Sequence, residues 1–138
     1  MRIVALVIVV LALAIAVVPQ FTDCQSQGMM ITLPNGKQIP MRCHWSGRAE
    51  IALAVPLLVV GTMLAVSKRK ETGRALSLTG GVLGALVILV PTALIGVCSS
   101  SEMVCRTTME PSLILLGTMV IATSLVGLVL SSRLEGNA

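Results

Sequence analysis

Four long apolar runs separated by short polar stretches dominate the chain, and they place membrane spans at about residues 3–21, 48–66, 75–97 and 111–130. Each is close to the roughly 17–25 residues that cross about 30 Å of hydrocarbon as a helix. None carries a charge near its centre, where one Lys, Arg or Asp costs roughly 2.5–3.5 kcal/mol on insertion scales. The runs are rich in Leu, Ala and Gly and lack the two-residue alternation of a membrane barrel. The pattern predicts an all-α, four-transmembrane-helix bundle in a single domain.

The polar stretches then divide by charge. Arg2, the cluster Lys68, Arg69, Lys70 and Arg74, and Arg133 share one side of a four-span chain, opposed only by Glu71 and Glu135. On the other side Lys37, Arg42, Arg48 and Arg106 are balanced by Asp23, Glu50, Glu102 and Glu110. The positive-inside rule predicts cytoplasmic termini, a cytoplasmic loop 67–74 and extracytoplasmic loops 22–47 and 98–110 in a multi-pass protein of the cell membrane. Arg2, the first apolar run and Ala14-Ile15-Ala16 also fit a secretory signal peptide, with residues 1–16 removed, but the run continues to Val18 and favours retention.

Composition agrees with this class. Hydrophobic residues make up 55% of the chain and charged residues 12%, and the aromatics are only Phe21 and Trp45. The net charge of +4 lies beside apolar runs with no aromatic stacking platform, so the lipid bilayer rather than nucleic acid is the expected surroundings.

The loop 22–47 holds two strand-prone runs on either side of Pro34-Asn35-Gly36-Lys37. Asn-Gly between such runs predicts a β-hairpin with a type I′ turn. Cys24 and Cys43 flank this ribbon, and Cys98 and Cys105 bracket the serine-rich second loop. The expected bonds are Cys24–Cys43 and Cys98–Cys105, with pairing across the two loops as the alternative. Structural disulfides suit an oxidising exterior.

Met41-Arg42-Cys43-His44-Trp45-Ser46-Gly47-Arg48-Ala49-Glu50 is the densest polar stretch. Ser46 suits the N-cap of the second span, with Glu50 in its first turn beside the positive end of the helix dipole. Trp45 suits the headgroup level. Arg42, His44, Trp45, Arg48 and Glu50 are the candidate docking residues, and Arg42, His44, Arg48 and Glu50 are expected to form an ion-paired collar. His44 with Met29, Met30, Met41, Met103 and Met109 raises soft-metal or haem binding. Those spacings match no ligand motif, and packing is the favoured role. No metal or cofactor is expected.

No phosphate loop, zinc spacing or paired buried carboxylates is present, and no catalytic residue is assigned. Two cysteine pairs in outer loops also resemble the layout of four-span oxidoreductases that pass electrons from exported thiols to quinone. The Cys-X-X-Cys turn usual in reactive pairs is missing. Gly61, Gly80, Gly81, Gly84 and Gly127 stand four residues from other small residues and are expected to bring helices together, within the bundle or against a second copy or another protein's spans. Pro56 and Pro91 are expected to kink their spans.

The Cys-His-Trp-Ser-Gly-X-Ala-Glu run, following a disulfide-prone loop in a four-span chain of this length, resembles an uncharacterised family of small prokaryotic membrane proteins, of the domain of unknown function 4418 type. The resemblance covers essentially the whole chain. It implies gene proximity to ABC transporters whose permeases carry large outer domains, and it implies no chemistry. The expectation is therefore a non-catalytic accessory subunit for a transporter-type partner, with a quinone-coupled thiol–disulfide oxidoreductase as the alternative.

Overall fold

A computed structural model describes residues 2–136, with side chains described for 2–133. Helix α1 spans Arg2–Thr22, α2 Arg42–Val66, α3 Lys70–Leu89 and α4 Glu110–Gly136. A ribbon of two strands, β1 (Ile31–Thr32) and β2 (Gln38–Ile39), lies between α1 and α2. A π-helical turn, Val90–Leu94, extends α3, and another, Cys105–Met109, leads into α4. By length and composition, four helical spans are long and apolar enough to cross a membrane, Arg2–Thr22, Arg42–Val66, Lys70–Leu94 and Cys105–Arg133. The chain is a four-helix, multi-pass membrane protein with a small β-ribbon cap.

Three residues join α2 to α3, so these helices run antiparallel. α1 packs chiefly on α2 and α3 on α4, while α2–α3 and α1–α4 contacts close the ring. Both cysteine-bearing loops therefore share one end of the bundle, the cap. At the opposite end Ser131 of α4 lines one cavity with Ser67, Lys68 and Arg69 of the connection between α2 and α3.

The bundle core is built from one face of each helix. Ala5, Ile8, Ala12 and Ile15 of α1 recur at helical spacing and meet Ala54, Leu57 and Leu64 of α2, Val87 of α3 and Leu113 and Val120 of α4. The opposite faces remain apolar, as surfaces against hydrocarbon require. Small residues set the helix separations. A Cβ at Gly61 would fall 2.8 Å from Val9 of α1. One at Gly80 would lie 2.9 Å from Ser124 Oγ, one at Gly84 2.9 Å from Val120, and one at Gly127 2.8 Å from Ser77 Oγ. Gly81 makes only ordinary contact. These glycines thus serve packing inside the bundle.

Gly117, which the small-residue spacing did not single out, closes the tightest contact. Its added Cβ would sit 2.6 Å from Ile88 and 3.0 Å from the Gly84 carbonyl oxygen. Gly117→Val is therefore expected to destabilise the bundle by about 1–3 kcal/mol through overpacking. Gly81→Ala is expected to stay within about 0.5 kcal/mol. Thermal unfolding of both variants in detergent checks the contrast, and equal midpoints would contradict it.

The ribbon pairs Ile31 with Ile39 and Thr32 with Gln38, antiparallel as expected, but its turn is not type I′. The Gly36 amide donates to the Leu33 carbonyl at 3.0 Å and the Leu33 amide to the Lys37 carbonyl at 2.9 Å. Within the turn positive φ is confined to Gly36, at 77°. Pro34 presets a negative φ at the first central position, so Pro34-Asn35 form the turn and Gly36 supplies the left-handed residue that restores the register.

Helix α2 begins earlier than its hydrophobicity implied. Its N-cap is Met41, which has no side-chain cap bond, and not Ser46. Arg42 to Ser46 are helical because Cys43 and Ser46 bury on the inner face. Hydropathy reads that amphipathic first turn as loop.

Candidate functional site

Each helix contributes one cysteine at the cap. Cys24 follows α1, Cys43 lies in the first turn of α2, Cys98 follows the π-turn of α3, and Cys105 opens the π-turn before α4. Gly96, with φ of 76°, reverses the chain after α3. The Ile95 and Gly96 amides both donate to the Val90 carbonyl, at 3.0 and 3.2 Å, anchoring that reversal. Cys98 is thereby brought back over the bundle end.

The four sulfur atoms all lie within 4.8 Å of one another. Cys24 and Cys43 form a disulfide, as expected, with their Cα atoms 6.4 Å apart. The second expected bond is not formed, and Cys98 and Cys105 are free thiols. Instead of pairing locally they approach the first disulfide. Cys105 Sγ is 2.7 Å from Cys24 Sγ, and Cys98 Sγ is 3.4 Å from Cys43 Sγ and 3.7 Å from Cys24 Sγ. Helix packing places the second loop directly over the first bond, a placement that spacing along the chain does not disclose. Cys24, Cys43 and Cys105 are buried, whereas Cys98 is half-buried at the cluster edge. Met41 Sδ lies 3.9 Å from Cys98 Sγ, and Met41 and Met103 pack against the buried core that includes these cysteines.

Beside the cluster, His44 is held by Asp23. Asp23 Oδ2 and His44 Nδ1 are 3.1 Å apart, and since a carboxylate only accepts, the ring nitrogen donates. Asp23 Oδ1 also accepts from the Ser26 amide at 2.7 Å. Burial by itself would raise the Asp23 pKa, but these two donors and the His44 charge outweigh it and hold the carboxyl below its ordinary value. A depressed pKa contributes stability above the unfolded value, near 3.9, that is lost as pH falls through the folded value. Asp23→Asn is expected to flatten the acid limb of stability below about pH 4. Unfolding midpoints between neutral and acid pH check this, and an unchanged acid limb would contradict it.

A cleft of about 320 Å³ opens next to this pair, lined by Gln20, Asp23, Ser26, His44 and Arg48 among others. Arg42, Trp45 and Arg48 project outward, with Trp45 58% exposed and its ring edge-on to His44. The expected ion-paired collar is not formed. Of its members, His44 pairs with Asp23 and Glu50 turns inward.

Glu50 lies in the third turn of α2, not the first, because the helix starts at Arg42. It is fully buried, and among the described residues neither carboxylate oxygen has a hydrogen-bond partner. It shares its inward stripe with Cys43, Ser46 and Gly47, and the Ser46 hydroxyl is likewise buried and unpartnered. Gly47 permits this approach, since a Cβ there would lie 3.1 Å from Pro19. The run from Cys43 to Glu50 thus sorts by helical face. Cys43, Ser46, Gly47 and Glu50 point into the bundle, His44 reaches toward α1, and Trp45 and Arg48 face out. The close packing at Gly47 and the burial of Glu50 do not follow from the polarity of this run, although their spacing from Cys43, four and seven residues, is the signal that places them on its face.

No curated protein and no solved structure matches the chain. The family described as Domain of unknown function (DUF4418) matches residues 3–130, which take in most of each helix of the bundle and all four cysteines. The chain belongs to the DUF4418 family.

Proposed function

We propose that this chain is a non-catalytic membrane subunit that binds, and stabilises or regulates, a transporter-type partner of the ABC permease class, with its cysteine-bearing cap on the extracytoplasmic side of the cell membrane. The observation that carries the reading is the exposed cap. Met29, Ile31, Leu33 and Ile39 of the ribbon and Trp45 of α2 are all exposed large apolar residues on a base tied by the Cys24–Cys43 disulfide. The ribbon has two strands and therefore two unpaired edges. Such edges and clustered apolar side chains are what another protein's strand or loop covers. Arg42 and Arg48 flank this surface and favour an acidic counterpart.

Affinity purification of the tagged protein from its native membrane in mild detergent tests the reading. A transporter subunit in near-equal amount, lost on Trp45→Ala with Ile31→Ser, supports it. Recovery of the chain alone after cross-linking overturns it.

A second reading, thiol–disulfide exchange, is favoured by Cys105 Sγ lying 2.7 Å from Cys24 Sγ. Attack of the Cys105 thiolate on Cys24 would form Cys24–Cys105 and release Cys43 as thiolate. In a full cycle an external dithiol would give two electrons and two protons, and a membrane quinone would accept them as quinol. Reduction of added quinone by a small dithiol, dependent on Cys105, supports this reading. Equal rates in Cys105→Ser would exclude it.

A further inference from the structure

The convergence of the four sulfurs goes beyond what either a scaffold or an exchange pair requires. Two independent structural disulfides need no approach between loops, and one exchange step needs only a single attacking thiol. Here one cysteine sulfur from each of the four helix ends meets at a common point, with every sulfur within 4.8 Å of every other. We propose that reduction of the Cys24–Cys43 bond opens a tetrathiolate site for a soft d¹⁰ metal ion of the Zn²⁺ type, so that the cap is closed by a disulfide when oxidised and by a metal when reduced. The proposal rests on the cluster alone and not on the partner reading.

Geometry supports it. Tetrahedral zinc with Zn–S bonds of about 2.3 Å holds its sulfurs roughly 3.8 Å apart. The Cys24–Cys98 separation of 3.7 Å already has that value, and Cys43–Cys98 at 3.4 Å is close to it. Cys105 must draw back from Cys24 by about one ångström to reach the same spacing. The bonded pair must part, and Cα atoms 6.4 Å apart leave this to side-chain rotation. Four ligands without water make a closed site of the structural kind.

The surroundings agree. Cys24, Cys43 and Cys105 are nine-tenths buried or more, Met41 Sδ lies 3.9 Å from Cys98 Sγ, and Met41 and Met103 pack against the buried core that includes the three, so soft donors predominate around the site. Cys98, half-buried, gives the ion a route in. His44 is turned to Asp23 and is not needed as a ligand.

The chemistry balances. An external dithiol closes to its own disulfide and delivers two electrons and two protons to Cys24 and Cys43. Binding of the divalent ion to the four thiols then displaces four protons, so affinity rises with pH.

The test uses the full chain purified in detergent, reduced with a phosphine, desalted without oxygen and titrated with zinc or with cobalt as its spectroscopic stand-in. Expected is one ion per reduced chain, thiolate-to-cobalt charge-transfer absorption, tetrahedral visible bands, and no binding before reduction. Cys98→Ser keeps the Cys24–Cys43 disulfide for folding, and after reduction it is expected to bind more weakly by over about 100-fold, beyond the loss usual for an outer-shell partner. Met41→Leu is expected to bind as wild type. No ion held by the reduced wild-type chain, equal affinity in Cys98→Ser, or equal binding by the unreduced protein each overturns the proposal. Partner recovery in the purification above is read separately, so failure of one leaves the other standing.

Discussion

Serine at both Cys24 and Cys43 is expected to lower the stability of the folded cap by about 3 kcal/mol, the loop-closure value for a bond spanning 19 residues. The reason lies in how little else holds this segment. Its strands are two residues each and all four strand residues are exposed, so the ribbon buries almost nothing of its own. A two-stranded hairpin is marginal in water without further support. The first-order effect is therefore on the unfolded loop, which gains freedom when the bond is lost. Denaturant titration in detergent and the monodisperse fraction after extraction measure it. The single variant Cys98→Ser, which leaves the bond in place, is expected to cost less. A loss below about 1 kcal/mol in the double variant would show that packing around Met41 and Met103, and not the bond, holds the cap.

Glu50→Leu is expected to act in the opposite direction and to stabilise the bundle by about 1–3 kcal/mol. Both carboxylate oxygens of Glu50 are buried without partners, and an unsatisfied buried polar group costs about that much. Replacement by an apolar side chain of similar volume removes the penalty without opening a cavity. Glu50→Gln keeps the shape and retains most of the penalty, so it separates polarity from packing. Unfolding midpoints of the two variants are the measurement. A destabilised Leu variant would show that Glu50 is held by a favourable interaction in the membrane. A stabilised Leu variant with impaired partner recovery or metal closure would mark Glu50 as a group kept for function at the expense of stability.

The two predictions share a stripe of α2, and that stripe shows where sequence reasoning stops. Arg42 to Ser46 read as loop because their mean polarity is high, yet they form the first turn of a helix whose inner face is Cys43, Ser46, Gly47 and Glu50. Polarity averaged over a window hides a face. A position two turns below Cys43 is visible in the spacing, but its burial depends on α1 approaching at Gly47 and Pro19. The hairpin shows a similar boundary. Asn35-Gly36 located the turn correctly, and Pro34, one residue earlier, decided its type through its fixed φ.

The number of spans, the helical class and the place of the ribbon were legible in the residues alone, and Cys24–Cys43 was the expected bond at its base, with pairing across the loops left open. These follow from local quantities: run length, hydropathy, turn chemistry and two cysteines flanking one hairpin. Helix packing, by contrast, sets Gly117 against Ile88 and the Gly84 carbonyl, encloses Glu50, and brings Cys98 and Cys105 to the Cys24–Cys43 bond instead of into a bond with each other. Those outcomes depend on which helix faces meet and how closely. Contacts between residues 55 to 81 positions apart, such as those among the four sulfurs, are set by the packing of whole helices and leave no mark in the neighbourhood of any one residue.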